Sequence, residues 1–262
     1  MSRLAISDTL KLYINGAFVR SESGLIQRDV THKQNIAKAS RKDARDTLRV
    51  SVQGAKKMAG LDPLNRGQIV YKIAESLEQH RGRFVASKST LDKAVDNLVA
   101  TAGWSDKANA VLGEVCSPSY NITAAAEVVG IGSTVVFGLN SLDKVTAAIG
   151  AALSVGNAIT IVAPEDVCKD TLSLGEVLAC SDVPHGSVNL LSGYSTDVYK
   201  TLANATSTRG LLATTELYKE YGPLAAYHLA RLEKESALKN PSDVAILRWQ
   251  VDAKTTIASS CW

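Results

Sequence analysis

The stretch Gly150-Ala-Ala-Leu-Ser-Val-Gly156-Asn157-Ala-Ile-Thr-Ile-Val162-Ala163-Pro164-Glu165, followed by Val183-Pro184-His185-Gly186-Ser-Val188-Asn189-Leu-Leu-Ser-Gly193, decides the fold. Val145 to Val155 is a run of small and apolar residues that suits a buried helix. Gly156-Asn157 stops that helix, since both residues tolerate backbone angles a helix does not use. Ala158 to Ala163 is short, apolar and β-branched, the pattern of a strand covered on both faces. Asp170 to Ala179 reads as the next helix. The Pro-Gly turn at 184–186 leads into a further buried strand, Ser187 to Leu191. Helices alternating with buried strands predict a parallel, doubly wound α/β sheet.

Working outward, Val128 to Phe137 is a nearly unbroken apolar run and predicts one long buried strand. Downstream, Thr196 to Leu202 reads as a short helix and Gly210 to Ala213 as a fourth strand. Glu216 to Lys239 reads as charged helix. Upstream, Lys11 to Val19 alternates around Asn15-Gly16, which predicts a hairpin. Ser40-Arg-Lys-Asp43 is a capping-box pattern opening a helix with Ala44, Leu48, Val52 and Ala55 on one stripe. Pro63 breaks the chain, Asn65 is placed as the cap of a second helix, and a third helical stretch covers 84–111. Asp252 to Ala258 is an alternating, Thr-rich strand with no hairpin partner beside it, so it must find a ladder elsewhere in the molecule or in another subunit.

Composition narrows the function. The 262 residues carry 29 Lys and Arg against 26 Asp and Glu, a net charge of +3. That balance lacks the concentrated basic face of a nucleic-acid binder. Cys116, Cys168, Cys180 and Cys261 form no Cys-x-x-Cys pair, and His32, His80, His185 and His228 are scattered, so neither a disulfide framework nor a metal site is expected. The N-terminus lacks the apolar core of a signal peptide. The uncharged run 145–163 is broken by Gly156-Asn157 and reads as helix–turn–strand, not as a membrane span. A cytoplasmic protein with reduced thiols is expected.

The residues also carry a resemblance. Tyr13-Ile14-Asn15-Gly16, Asn65-Arg66, Val128-Val129-Gly130-Ile131, Gly150 to Glu165, Pro184-x-Gly186-x-Val188-Asn189 and Lys254-Thr255 together resemble, in order, segments of the aldehyde dehydrogenase superfamily. The resemblance implies a Rossmann-like cofactor domain over 1–215, a helical remnant over 216–251 in place of the catalytic domain, and a C-terminal oligomerisation strand over 252–262. It implies NAD or NADP as cofactor, with Pro164, Glu165 and Gly193 as the cofactor-binding positions and Glu165 as the ribose-binding carboxylate. The competing reading of Glu165 is an exposed glutamate at a helix start.

The departures from that family pattern are specific. Leu139 falls where the family's oxyanion-holding Asn stands, and Asn140 is one residue off. Val162 replaces the Lys of the Lys-Pro-x-Glu motif, which weakens dinucleotide binding. Ala213-Thr214-Thr215-Glu216 replaces the Gly-Ser-Thr turn, and Glu216 competes with an anion for the helix's positive end. The Cys nucleophile and Glu base of active members lie in a second domain, for which 216–254 leaves no room, and no catalytic residue is assigned here. The resemblance therefore implies a catalytically inactive subunit that pairs with itself or with a full-length aldehyde dehydrogenase. The alternatives are an NAD(P)-dependent aldehyde oxidoreductase working within a mixed oligomer, and a nucleotide-binding regulatory module.

Overall fold

The computed structural model describes residues 9–29, 34–116, 122–193 and 195–259. The chain opens with short strands β1 (Thr9–Leu10), β2 (Leu12–Ile14), β3 (Ala17–Val19), β4 (Ile26–Asp29) and β5 (Gln34–Ala37). Helices α1 (Arg41–Ala59), α2 (Pro63–Gln79), α3 (Lys88–Ala102) and α4 (Ala108–Leu112) follow. Then come β6 (Glu114–Cys116), β7 (Ile122–Gly130), β8 (Ser133–Phe137), α5 (Leu142–Ser154), β9 (Ala158–Ala163), α6 (Glu165–Ala179), β10 (Val188–Ser192), α7 (Thr196–Ala203), β11 (Thr208–Ala213), α8 (Thr215–Tyr227), β12 (Arg231–Lys234), α9 (Ala245–Arg248) and β13 (Val251–Ser259).

The main sheet has the order β12-β11-β8-β9-β10-β2-β3. Its first five strands are parallel, and the β2–β3 hairpin adds two antiparallel strands beside β10. Strands alternate their side chains between two faces. Val135, Phe137, Val162, Leu191 and Leu211 pack with Ala44 and Leu48 of α1, with α7 and with α8. Val136, Ile159, Ile161, Leu190 and Leu212 pack with α5, α6 and α2 on the other face. The doubly wound expectation holds.

Local chemistry accounts for the boundaries. The Ser40 side chain accepts from the Asp43 N–H, and the Asp43 carboxylate accepts from the Ser40 N–H, closing the capping box. Asp62, not Asn65, caps α2, and Pro63 sits at its first turn, where a missing N–H costs nothing. The expected helix over 84–111 is instead α3 and α4, separated by a turn. Asn15 and Gly16 both take positive φ, 54° and 76°, as a tight hairpin requires.

Two expectations about strands need correction. The apolar run 128–137 is two strands in different sheets: β7 ends at Gly130, Gly132 turns at φ 113°, and β8 begins at Ser133. The span 216–251 is not wholly helical. Arg231–Lys234 pairs in parallel with β11, so the main sheet continues past residue 215. An edge strand faces solvent and can be charged, which hides it in a polarity pattern.

Of the two places left open for the terminal strand's ladder, it is found within this chain. β13 pairs antiparallel with β7 over nine residues, from Val251↔Gly130 to Ser259↔Ile122, in the sheet β13-β7-β6. The register is long-range in sequence and carries no hairpin signal.

Candidate functional site

In an open parallel sheet, ligands bind outside the carboxyl ends of the strands where the strand order reverses. Here that switch point lies between β8 and β11, which are spatial neighbours although β9 and β10 intervene in sequence. The turns after β8, β9, β10 and β11 form the crest. Three backbone hydrogen bonds lace them: Gly138 N–H to the Val162 carbonyl at 3.4 Å, Gly193 N–H to the Ala163 carbonyl at 3.2 Å, and Thr214 N–H to the Phe137 carbonyl at 3.3 Å.

Side chains close the crest further. Tyr199 of α7 and Tyr221 of α8 are 2% and 3% exposed. Their rings lie 5.3 Å apart, and Phe137 meets them at 4.7 and 6.0 Å. These aromatics fill the space between the two helices and the sheet. A methyl group placed on Gly138 would sit 2.6 Å from Leu217 Cδ1, so Leu217 seals the turn after β8. Burial, helped by a hydrogen bond to Glu220, pushes the Tyr221 hydroxyl up to about 12.

The expected cofactor residues do converge on neighbouring turns, since Ala163 and Ser192 are register partners. Pro164 is buried at the start of α6, and its carbonyl accepts from the Val167 N–H. Gly193 is buried, with the Lys38 Cγ 3.2 Å from where a side chain would begin. Glu165 is exposed at the first position of α6 beside Asp166. Two carboxylates there favour the helix's positive end and oppose an incoming phosphate.

The departures are equally definite. Val162 is fully buried on the α1/α7/α8 face. Leu139 is 1% exposed in the opposite core and has no polar group to offer. Asn140 is exposed, and its Oδ1 accepts from Lys144 Nζ at 2.9 Å. Thr214 stands at the N-cap of α8 without a side-chain capping bond. The rings of Phe137, Tyr199 and Tyr221 thus pack between α7, α8 and the sheet, and Glu165 is the one exposed member of the expected set.

Cys168 is buried on α6, while Cys180 is exposed at its end. Cys261 and Trp262 lie outside the described residues. Among the described residues no cluster of three or more His, Cys, Asp and Glu side chains is placed to hold a metal ion. No helix among them is long and apolar enough to cross a membrane.

Two asparagines in the resembling motifs act as structural connectors. Asn189 Oδ1 accepts from the Asn15 N–H at 2.9 Å, and its Nδ2 donates to the Gly186 carbonyl at 3.0 Å, tying the hairpin to the turn before β10. Asn157, fully buried, accepts from the Gly132 N–H at 2.8 Å and donates to the Gln250 carbonyl and Oε1 at 2.6 and 2.9 Å. It joins the start of β9 to the root of the second sheet. Along the chain Asn157 reads only as a helix breaker; its position just after Gly156 is the available signal.

A sheet of this winding defines a Rossmann-like α/β domain. Residues 28–244 match the model of the aldehyde dehydrogenase family, and the chain belongs to that family. It is 26% identical to the putative aldehyde dehydrogenase DhaS of Bacillus subtilis, over 90% of this chain and 52% of the relative. It is 25% identical to cytosolic aldehyde dehydrogenase 1 of Elephantulus edwardii, over 88% of this chain and 51% of the relative. The fold is that of a betaine aldehyde dehydrogenase of Staphylococcus aureus solved with NAD+, with a TM-score of 0.78 at 18% identity, over 86% of this chain and 49% of that one. HpcC of Thermus thermophilus matches at a TM-score of 0.78 and 21% identity, over 86% of this chain and 48% of that one. The chain spans about half the length of these relatives.

Proposed function

We propose that this protein is a catalytically inactive member of the aldehyde dehydrogenase family that serves as a subunit, pairing with a full-length aldehyde dehydrogenase or with a second copy of itself. The observation that carries the reading is Leu139. Acyl-transfer-type chemistry needs donors aimed at the developing oxyanion, and a buried leucine at the family's Asn position supplies none. Two further features support it. The switch-point crevice is filled by Tyr199, Tyr221 and Leu217. Only the short stretch 235–250 separates β12 from β13, where the resemblance puts the nucleophile-bearing domain.

Dinucleotide binding, NAD or NADP, is weak on this reading, because Val162 cannot replace a lysine and Glu165 stands alone. No metal is needed. The pairing element is the sheet β13-β7-β6, whose outer strands each have one neighbour among the described residues. An open strand edge can take a strand from another subunit. The scattered cysteines support a cytoplasmic setting.

The test has two arms. The purified chain, given NAD or NADP and a panel of aldehydes, should produce no NADH or NADPH; turnover would sink the reading. Light scattering of the chain alone, and of the chain mixed with a full-length aldehyde dehydrogenase, should show an oligomer in at least one case. A monomer in both defeats the subunit role.

A further inference from the structure

The other end of the main sheet is open. Between the C-terminal half of α1 and the starts of β8, β9 and β11 lies a cavity of about 370 Å3. It sits below the same switch point whose crest is closed. Its apolar wall includes Val52, Ala55, Ala59 and Ile131, and two cations, Lys56 and Arg209, stand at it. No carboxylate among the described residues lines it. Neither cation has a hydrogen-bond or ion-pair partner among the described residues, whereas nine other Lys and Arg ion pairs are formed there.

Two local features build this place. The β8–β11 ladder pairs Thr208 with Ser133 but Gly210 with Thr134, so Arg209 is the extra residue of a bulge and is turned out of the ladder. Bulges of this kind re-aim a side chain. Behind the cavity, Arg66 Nη1 is 2.6 Å from where a side chain on Gly156 would begin, and Gly156 itself lines the cavity. Arg66 Nε is buried without a hydrogen-bond partner. A third positive charge thus lies against the cavity wall, uncompensated by any ion pair among the described residues.

We propose that this cavity binds a small carboxylate with an apolar body, its carboxylate held between Lys56 and Arg209 and its hydrocarbon against Val52, Ala55 and Ile131. The charge selects an anion: a guanidinium forms paired bonds to a carboxylate and is favoured for that role. The wall selects against a bare inorganic ion, because most of the cavity surface offers it nothing to bond. The volume falls within the range of small-molecule sites.

Octanoate is the probe, with 1-octanol and inorganic phosphate as controls, measured by titration calorimetry at low salt. Octanoate should bind saturably. Its dissociation constant should rise at least about tenfold in Arg209→Gln and in Lys56→Gln, the loss expected for one charge-assisted bond. Both side chains are exposed, so both variants should keep the parent circular dichroism. Absence of saturable octanoate binding, parent affinity retained in both variants, or phosphate or octanol binding as tightly as octanoate would each overturn the proposal. None of these outcomes bears on the inactivity of the crest, which is read by NAD(P)H production.

Discussion

The two ends of the parallel sheet make opposite use of the same switch point. At the carboxyl ends of the strands, where such folds hold their ligands, aromatic rings, Leu217 and cross-turn hydrogen bonds leave the backbone sealed. At the amino ends, a bulge and a glycine turn leave a cavity with two cations that have no ion-pair partner among the described residues. On the proposed reading, a nucleotide-type fold persists while its ligand crevice is converted to core. What a Rossmann-like sheet needs for stability is burial of both faces. What it needs for function is an unfilled crest, and on that reading the crest is lost without cost to the fold.

If the crest is core, its rings must hold the fold together. Tyr199→Ala should lower unfolding free energy by about 3–5 kcal/mol, the cost of truncating a buried aromatic, measured by urea denaturation. A loss below about 1 kcal/mol would break the comparison, because the crest would then be a yielding pocket lid.

The amino end is held by Asn157. Asn157→Ala should cost about 2–3 kcal/mol, since the half-buried Gly132 N–H loses its acceptor and the buried Gln250 Oε1 its donor, while the Gln250 carbonyl keeps the Ile131 N–H. Hydrogen exchange should show the loss concentrated in β7, β8 and β13. Uniform loss across the molecule would mean that Asn157 is not the connector between the sheets.

The smallest effect is a pH dependence that sharpens the closed-crest assignment. Tyr221 is raised to about 12 by burial first and by Glu220 next, from a usual value of about 10. A raised pKa means that the folded state favours the neutral phenol. Its contribution is therefore complete below pH about 10 and is lost as pH climbs towards 12. Unfolding free energy should decline over that window, and Tyr221→Phe should flatten the decline. An unchanged slope in Tyr221→Phe would place that phenol in solvent.

Some of this was legible along the chain. Ser40 and Asp43 announced the start of α1 through their spacing, and Asn15-Gly16 announced the hairpin through its tolerance of positive φ. Gly156-Asn157 marked the end of α5. Other elements were not readable. The run 128–137 looks like one strand because periodicity does not register a change of sheet, and Arg231–Lys234 looks like a charged surface because an edge strand is one. The candidate site was read in position but not in state. Pro164, Glu165 and Gly193 lie at adjacent strand ends, yet two of the three are buried.

The amino-acid sequence determined the alternation of buried strands and helices, because hydrophobic period and turn chemistry act within a few residues. It determined the family and the replacements at Leu139 and Val162, because identity at a position is a property of the chain itself. Only the tertiary structure decided that Tyr199 and Tyr221 meet in the crevice, that β13 pairs with β7, and that Lys56 and Arg209 share a cavity. Those contacts join residues far apart in sequence, and which side chains meet depends on how the sheet twists and which helices pack beside one another.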